Sequence, residues 1–212
     1  NAHPSDAMME RITKEHAEVM VREARRTIEH YMRTGKLARA QLPKDIDIPV
    51  GVFVTLKKDR KSGERLRGCI GFPEPIYEFS RALAKAAVSA AFSDPRFPPV
   101  EEEELSDISI EVSLLSAPHP LEVPRKELPS AIEVGKHGIV VERGINKGLL
   151  LPQVAVEEGW DSEELLACAC LKAGLAPDSW LDERTKVCIF TATVFKELEP
   201  NGEVVEVELR KP

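Results

Sequence analysis

The sequence predicts an α+β fold in which hairpins build an antiparallel or mixed sheet with helices packed on one side. Three observations lead there. Short β-branched runs recur in pairs around polar turns, the mark of hairpins. Other stretches carry apolar residues at three- and four-residue spacing, the helical period. The order hairpin, helix, Pro/Asp-bearing loop, strand then occurs twice at an offset of roughly 80 residues, which reads as an internal duplication. Neither GxGxxG nor GxxxxGK[ST] occurs, which excludes nucleotide binding by those routes.

Taken in order, residues 8–34 place Ile12, His16, Val19, Met20, Ala24, Ile28 and Tyr31 on one helical face, with Gly35 as the stop. Asn1 to Ala7 are set aside as a processed or disordered end. Two prolines and two aspartates make 42–49 a loop. Residues 51–56 and 65–72 form a hairpin around the charged turn 57–64. Pro73 and Pro75 end it and open an alanine-rich helix over 76–92. The block SDPRFPP at 93–99 has three prolines and is neither helix nor central strand. Alternation over 108–114 predicts a half-buried strand. In the second half, 138–142 and 148–154 form a hairpin, and 161–173 a helix capped by Asp161 with Glu164. Residues 175–180 make a loop and 186–196 a strand. One domain therefore covers 8–204, with halves at about 50–116 and 135–197 plus the helix 8–34.

Composition narrows the function classes. Net charge is −7, with 29 Lys plus Arg against 36 Asp plus Glu, so nothing global draws the chain to a phosphate backbone. Seven Phe, two Tyr and two Trp are too few and scattered for a base-stacking platform. No apolar run approaches the roughly 20 residues of a membrane span. Four cysteines are too sparse for a disulfide scaffold and suit a reducing compartment, the cytoplasm. Scarce Asn and Gln with abundant charge is a thermophile bias.

The most distinctive segment is LRGCIG at 66–71. Glycines on both sides of Cys69 let a ligand approach backbone, and Arg65 and Arg67 would stabilise a thiolate. The competing reading is a small buried hydrophobe. Arg96 either clamps an anion or pairs with Asp94 or Glu111. Glu111 is a general base or a salt-bridged strand residue, and His137 a proton carrier or a hydrogen-bonded loop histidine. Cys168 and Cys170 point to different helix faces, Cys188 sits in an apolar strand, and no CxxC or HExxH occurs, so no metal and no cofactor is expected. Six cations over 57–67 could dock an acidic partner or RNA, against the reading of a solvated hairpin tip. Glu101 to Glu104 reads as a solvated turn.

Together with FSDPRFPPV, SIEVSLLS, KHGIVV, GLLLPQVAVEEGW and CLKAGLAPDSW, LRGCIG resembles the AMMECR domain family, from about Ile12 to about Leu198. The resemblance implies two unequal, tightly associated lobes, a barrel-like sheet with helices outside, and an internal duplication. It brings no established activity. It implies partners in a Memo-like protein and a radical S-adenosylmethionine protein, hence a modification system. The family pattern falls on Arg67, Gly68, Cys69 and Gly71, on Asp94, Arg96 and Phe97, and on Gln153 and Trp160 with Glu157 or Glu158 between them. The expectation is an enzyme with these loops around a cleft between the lobes: Cys69 as nucleophile or redox thiol, Arg67 and Arg96 as anion holders, Glu111 or His137 handling protons. The alternative is a binding module or adaptor for a protein, peptide or small molecule.

Overall fold

The computed structural model describes residues 3–58 and 63–208. Two compact units divide them. One contains the described chain through Ala117 together with Thr193–Val207, the other Pro118–Ala192 with Glu208.

The first unit opens with helices α1 (Pro4–Met9) and α2 (Lys14–Thr34). Part of the end set aside from the sequence thus belongs to the fold: Ser5 is buried, and Asp6 accepts the Ala117 N–H at 3.0 Å. The apolar spacing alone joins the two helices, yet the chain breaks between them. Thr13 Oγ1 accepts the His16 N–H at 3.1 Å and His16 Nδ1 accepts the Thr13 N–H at 3.2 Å, a reciprocal cap that starts α2 afresh.

Strands β1 (Gly51–Lys58), β2 (Arg65–Phe72) and β3 (Ile108–Leu115) follow, with helix α3 (Phe79–Phe92) between β2 and β3. The central β1 pairs antiparallel with both β2 and β3. One end of the order β2-β1-β3-β7 is therefore β2, where β7 is Lys186–Glu197; β8 (Val204–Val207) pairs antiparallel with the last part of β7. Val52, Val54 and Leu56 on β1, with Ile110, Val112 and Leu114 on β3, form one core with residues of α2 and α3. Fully burying each such side chain stabilises by about 1.5–3 kcal/mol.

Two expectations change here. Helix α3 begins at Phe79 rather than at 76, because Asp47 takes its first turn: its carboxylate accepts the Ser80 N–H at 2.7 Å and the Ser80 hydroxyl at 2.9 Å. Strand β3 is buried at all eight positions rather than on one face, its polar residues Ser109, Glu111 and Ser113 included.

The second unit holds β4 (His119–Pro120), α4 (Leu128–Ala131), β5 (His137–Arg143), β6 (Asn146–Leu150), α5 (Pro152–Glu158), α6 (Ser162–Lys172) and the first part of β7. Here β5 pairs antiparallel with β6 and β7, and β4 pairs with β7. Leu128, Ile139, Val141, Leu150, Leu165, Leu166 and Ala169 build its core. The Asp161 and Glu164 capping box starts α6 as its spacing predicts. Residues 151–154 are not strand: Pro152 lacks the N–H that a ladder needs and sits at the first turn of α5. In both units a hairpin and helical segments precede a strand that pairs with the hairpin's first strand.

Candidate functional site

Cys69 on β2 lies opposite Thr55 on β1, which lies opposite Glu111 on β3. The three share one row on the face away from the apolar core, since side chains alternate along each strand. The Thr55 hydroxyl donates to Cys69 Sγ at 3.2 Å. Burial pushes the Cys69 thiol up, and the charges of Glu111 and Asp94 add to the rise; the Thr55 hydrogen bond and the Arg96 charge oppose it. Glu111 is buried, with Oε2 3.2 Å from Lys57 Nζ.

The backbone of Cys69 is held from the other side by the proline-rich loop. Its N–H donates to Asp94 Oδ2 at 2.9 Å, and its carbonyl accepts from Arg96 Nη2 at 3.5 Å. Arg96 is tied to the same carboxylate: Nη2 reaches Asp94 Oδ2 at 2.8 Å, and Nε and the backbone N–H each reach Oδ1 at 3.0 Å. These donors, the guanidinium first, hold the Asp94 carboxyl well below the usual carboxylate range. Arg96 is thus paired with Asp94, with its side chain still exposed on the other edge.

Arg67 is spent inside the protein. It meets Glu104 with Nε at 3.0 Å and Nη2 at 2.8 Å, and donates to the carbonyls of Pro98 and Pro99 at 2.9 and 3.3 Å. The Phe97 ring centroid is 6.0 Å from the Arg67 guanidinium carbon and 5.5 Å from that of Arg96. Glu104 also receives Lys58 at 3.1 Å, and Arg67 leads the donors that lower its carboxyl to about 2. The acidic run is therefore not a freely solvated turn. It forms the short helix Glu102–Asp107, which turns Glu104 inward against cations. Of the basic strip, Lys57, Lys58 and Arg67 are neutralised in this way, Arg65 is exposed, and Arg60 and Lys61 lie outside the described residues.

Both hallmark glycines have packing work. A Cβ on Gly68 would strike the Ala90 carbonyl of α3, and one on Gly71 would strike the Phe53 side chain and the Val52 carbonyl. Glycine lets helix and aromatic ring close onto β2.

Eight expected site residues thus lie in the first unit: Cys69, Glu111, Arg67, Gly68, Gly71, Asp94, Arg96 and Phe97. The other four lie in the second. His137 opens β5, and its Nδ1 accepts the Glu133 N–H at 3.0 Å. Desolvation first, then the Lys136 charge, lowers its pKa against the pull of Glu133. Gln153 Oε1 is buried without a hydrogen-bond partner. Glu157 is exposed on α5, and Trp160 packs half-buried on the second core. Cys170 and Cys188 are buried and Cys168 half-buried.

Two contributors escaped the sequence reading. Thr55 was readable only as an alternating strand residue. Glu104 had a signal, the capping spacing with Glu101, whose N–H it accepts at 3.0 Å. Among the described residues no cluster of three or more His, Cys, Asp or Glu could hold a metal, and no helix is long and apolar enough to cross a membrane.

Comparison with known proteins gives consistent matches. A family model described as AMMECR1 matches residues 21–195. A protein of Pyrococcus furiosus is 54% identical over 201 residues, 92% of this chain and 95% of its own length. One from Methanopyrus kandleri is 51% identical over 205 residues, covering 95% and 98%. The crystal structure of an uncharacterized protein from Pyrococcus horikoshii matches with a TM-score of 0.89 at 50% identity, over 93% of this chain and 99% of that one.

Proposed function

The chain belongs to the AMMECR1 family, and on that footing we propose that it is a binding module, recognising a small molecule or peptide at the polar row around Cys69 without a covalent step at that thiol. The carrying observation is the environment of the sulfur. A nucleophilic cysteine needs a lowered pKa from an uncommitted cation or a nearby base. Burial pushes the Cys69 thiol up instead. Of the two arginines expected to stabilise the thiolate, Arg67 is engaged with Glu104 and Arg65 is exposed, while Arg96, the other expected anion holder, is engaged with Asp94. A neutral thiol beside the Thr55 hydroxyl and the Glu111 carboxylate makes a hydrogen-bonding lining, and the Arg96 side chain, 54% exposed, offers an edge to an anionic group.

A second reading is an enzyme of a modification system with Cys69 as nucleophile or redox thiol, favoured by the Thr55 hydrogen bond and the Arg96 charge, both of which act toward the thiolate. On either reading a Memo-like protein and a radical S-adenosylmethionine protein are the proposed partners, and the cytoplasm the proposed compartment. Alkylation of native protein by iodoacetamide across a pH series, mapped by peptide, separates the two. The binding reading expects Cys69 to react slowly at neutral pH and to accelerate only above about 8.5, the ordinary thiol value. Rapid modification at neutral pH would overturn it in favour of the enzyme.

A further inference from the structure

We propose that the Asp94 and Arg96 side chains form a surrogate strand that closes the outer edge of β2 against pairing with a second copy of the chain. The inference is independent of what the polar row binds.

Among the described residues, strand β2 has β1 on one side only. In an antiparallel pair successive residues alternate between pointing their N–H and C=O at the partner and pointing them away. The Cys69 N–H is bonded to Asp94 rather than to Thr55 across the ladder, so Cys69 and, two residues on, Gly71 turn their backbone groups outward. An edge that offers such groups is a template for another strand.

What meets Cys69 imitates a strand. A neighbouring strand would bring one carbonyl oxygen to accept the N–H and one N–H to donate to the C=O. Asp94 Oδ2 is that acceptor at 2.9 Å, and Arg96 Nη2 is that donor at 3.5 Å. The two groups are joined to each other through Nη2 at 2.8 Å and Nε at 3.0 Å, which fixes their spacing. Pro95 sits between them in sequence, and Arg67 ties the following prolines down through the carbonyls of Pro98 and Pro99. The LRGCIG strand and the SDPRFPP loop therefore act as one piece.

Two further features of the same strand serve the same end. The register shifts between Leu56 and Lys57, a bulge that places Arg67 outside the regular ladder. Arg65, ahead of it, is an exposed charge. Bulges and edge charges are established guards against strand addition. They protect the first half of β2, and the Asp94 and Arg96 pair protects the second.

The test compares wild type with Asp94→Ala, which removes both legs, and Arg96→Gln, which keeps the acceptor. Oligomeric state is read by light scattering over a concentration series, and amide exchange is resolved along β2. Wild type is expected to stay monomeric. In dilute Asp94→Ala, exchange at Cys69 should rise about five- to tenfold, the loss of one hydrogen bond, with α2 amides unchanged. At high concentration that variant should dimerise and regain protection at Cys69 and Gly71; Arg96→Gln should lie between. A wild-type dimer protected along β2, a monomeric Asp94→Ala with unchanged Cys69 exchange, or a uniform rise across β1, β2, β3 and α2 would each overturn the proposal. Should Asp94→Ala fail to fold, Arg96→Gln decides alone: no local rise at Cys69 and no dimer rejects the guard.

Discussion

Charge at the single-residue scale is settled by partners rather than by exposure. Arg67 and Arg96 flank the same cysteine, yet Arg67 is buried on Glu104 and Arg96 half-exposed on Asp94. Glu104 gives a readable pH signature. Its carboxyl is held at about 2 in the folded protein, against an ordinary value of about 4.3. A depressed folded value means that its contribution to stability is complete above the ordinary value and is lost as pH falls toward about 2. The urea midpoint of wild type should therefore drop across that window, and Glu104→Gln should flatten the drop while lowering the midpoint at pH 7. His137 should titrate below the ordinary histidine value of about 6.5 in an NMR series, because burial disfavours its charged form.

Among the elements, β2 and α3 meet at Gly68, where the Ala90 carbonyl occupies the space a Cβ would need. Gly68→Ala must push helix from strand and should cost about 1–3 kcal/mol in chemical denaturation. Gly68 and Gly71 stand out in the sequence as backbone approached closely by something. That the approaching group is a helix carbonyl at one and the Phe53 ring at the other was not readable, because both partners come from other elements. The breaks in regular structure divide the same way. Pro152 announces where strand cannot continue, while Asp47, which sets the start of α3, acts from 33 residues away.

At the level of the whole chain, an internal ion pair joins the two ends of the first unit. Arg25 of α2 and Glu197 of β7, separated by 172 positions, meet at 2.6 and 3.2 Å, and Glu197 also accepts the Ile110 N–H at 3.0 Å. Arg25 completes its fork on the carbonyls of Leu105 and Ile108. Breaking a buried pair strands a charge, so Glu197→Gln should cost about 3–5 kcal/mol, measured by urea unfolding. The α+β class, most helices and strands and the hallmark segments were legible in the sequence, because hydrophobic period, proline and capping spacing act within a few residues. The tertiary structure alone decided which cation meets which carboxylate, that the thiol is pushed toward its neutral form, and that the expected site residues divide between two units. Those outcomes depend on burial and on distances between residues far apart in the chain, which no local pattern encodes.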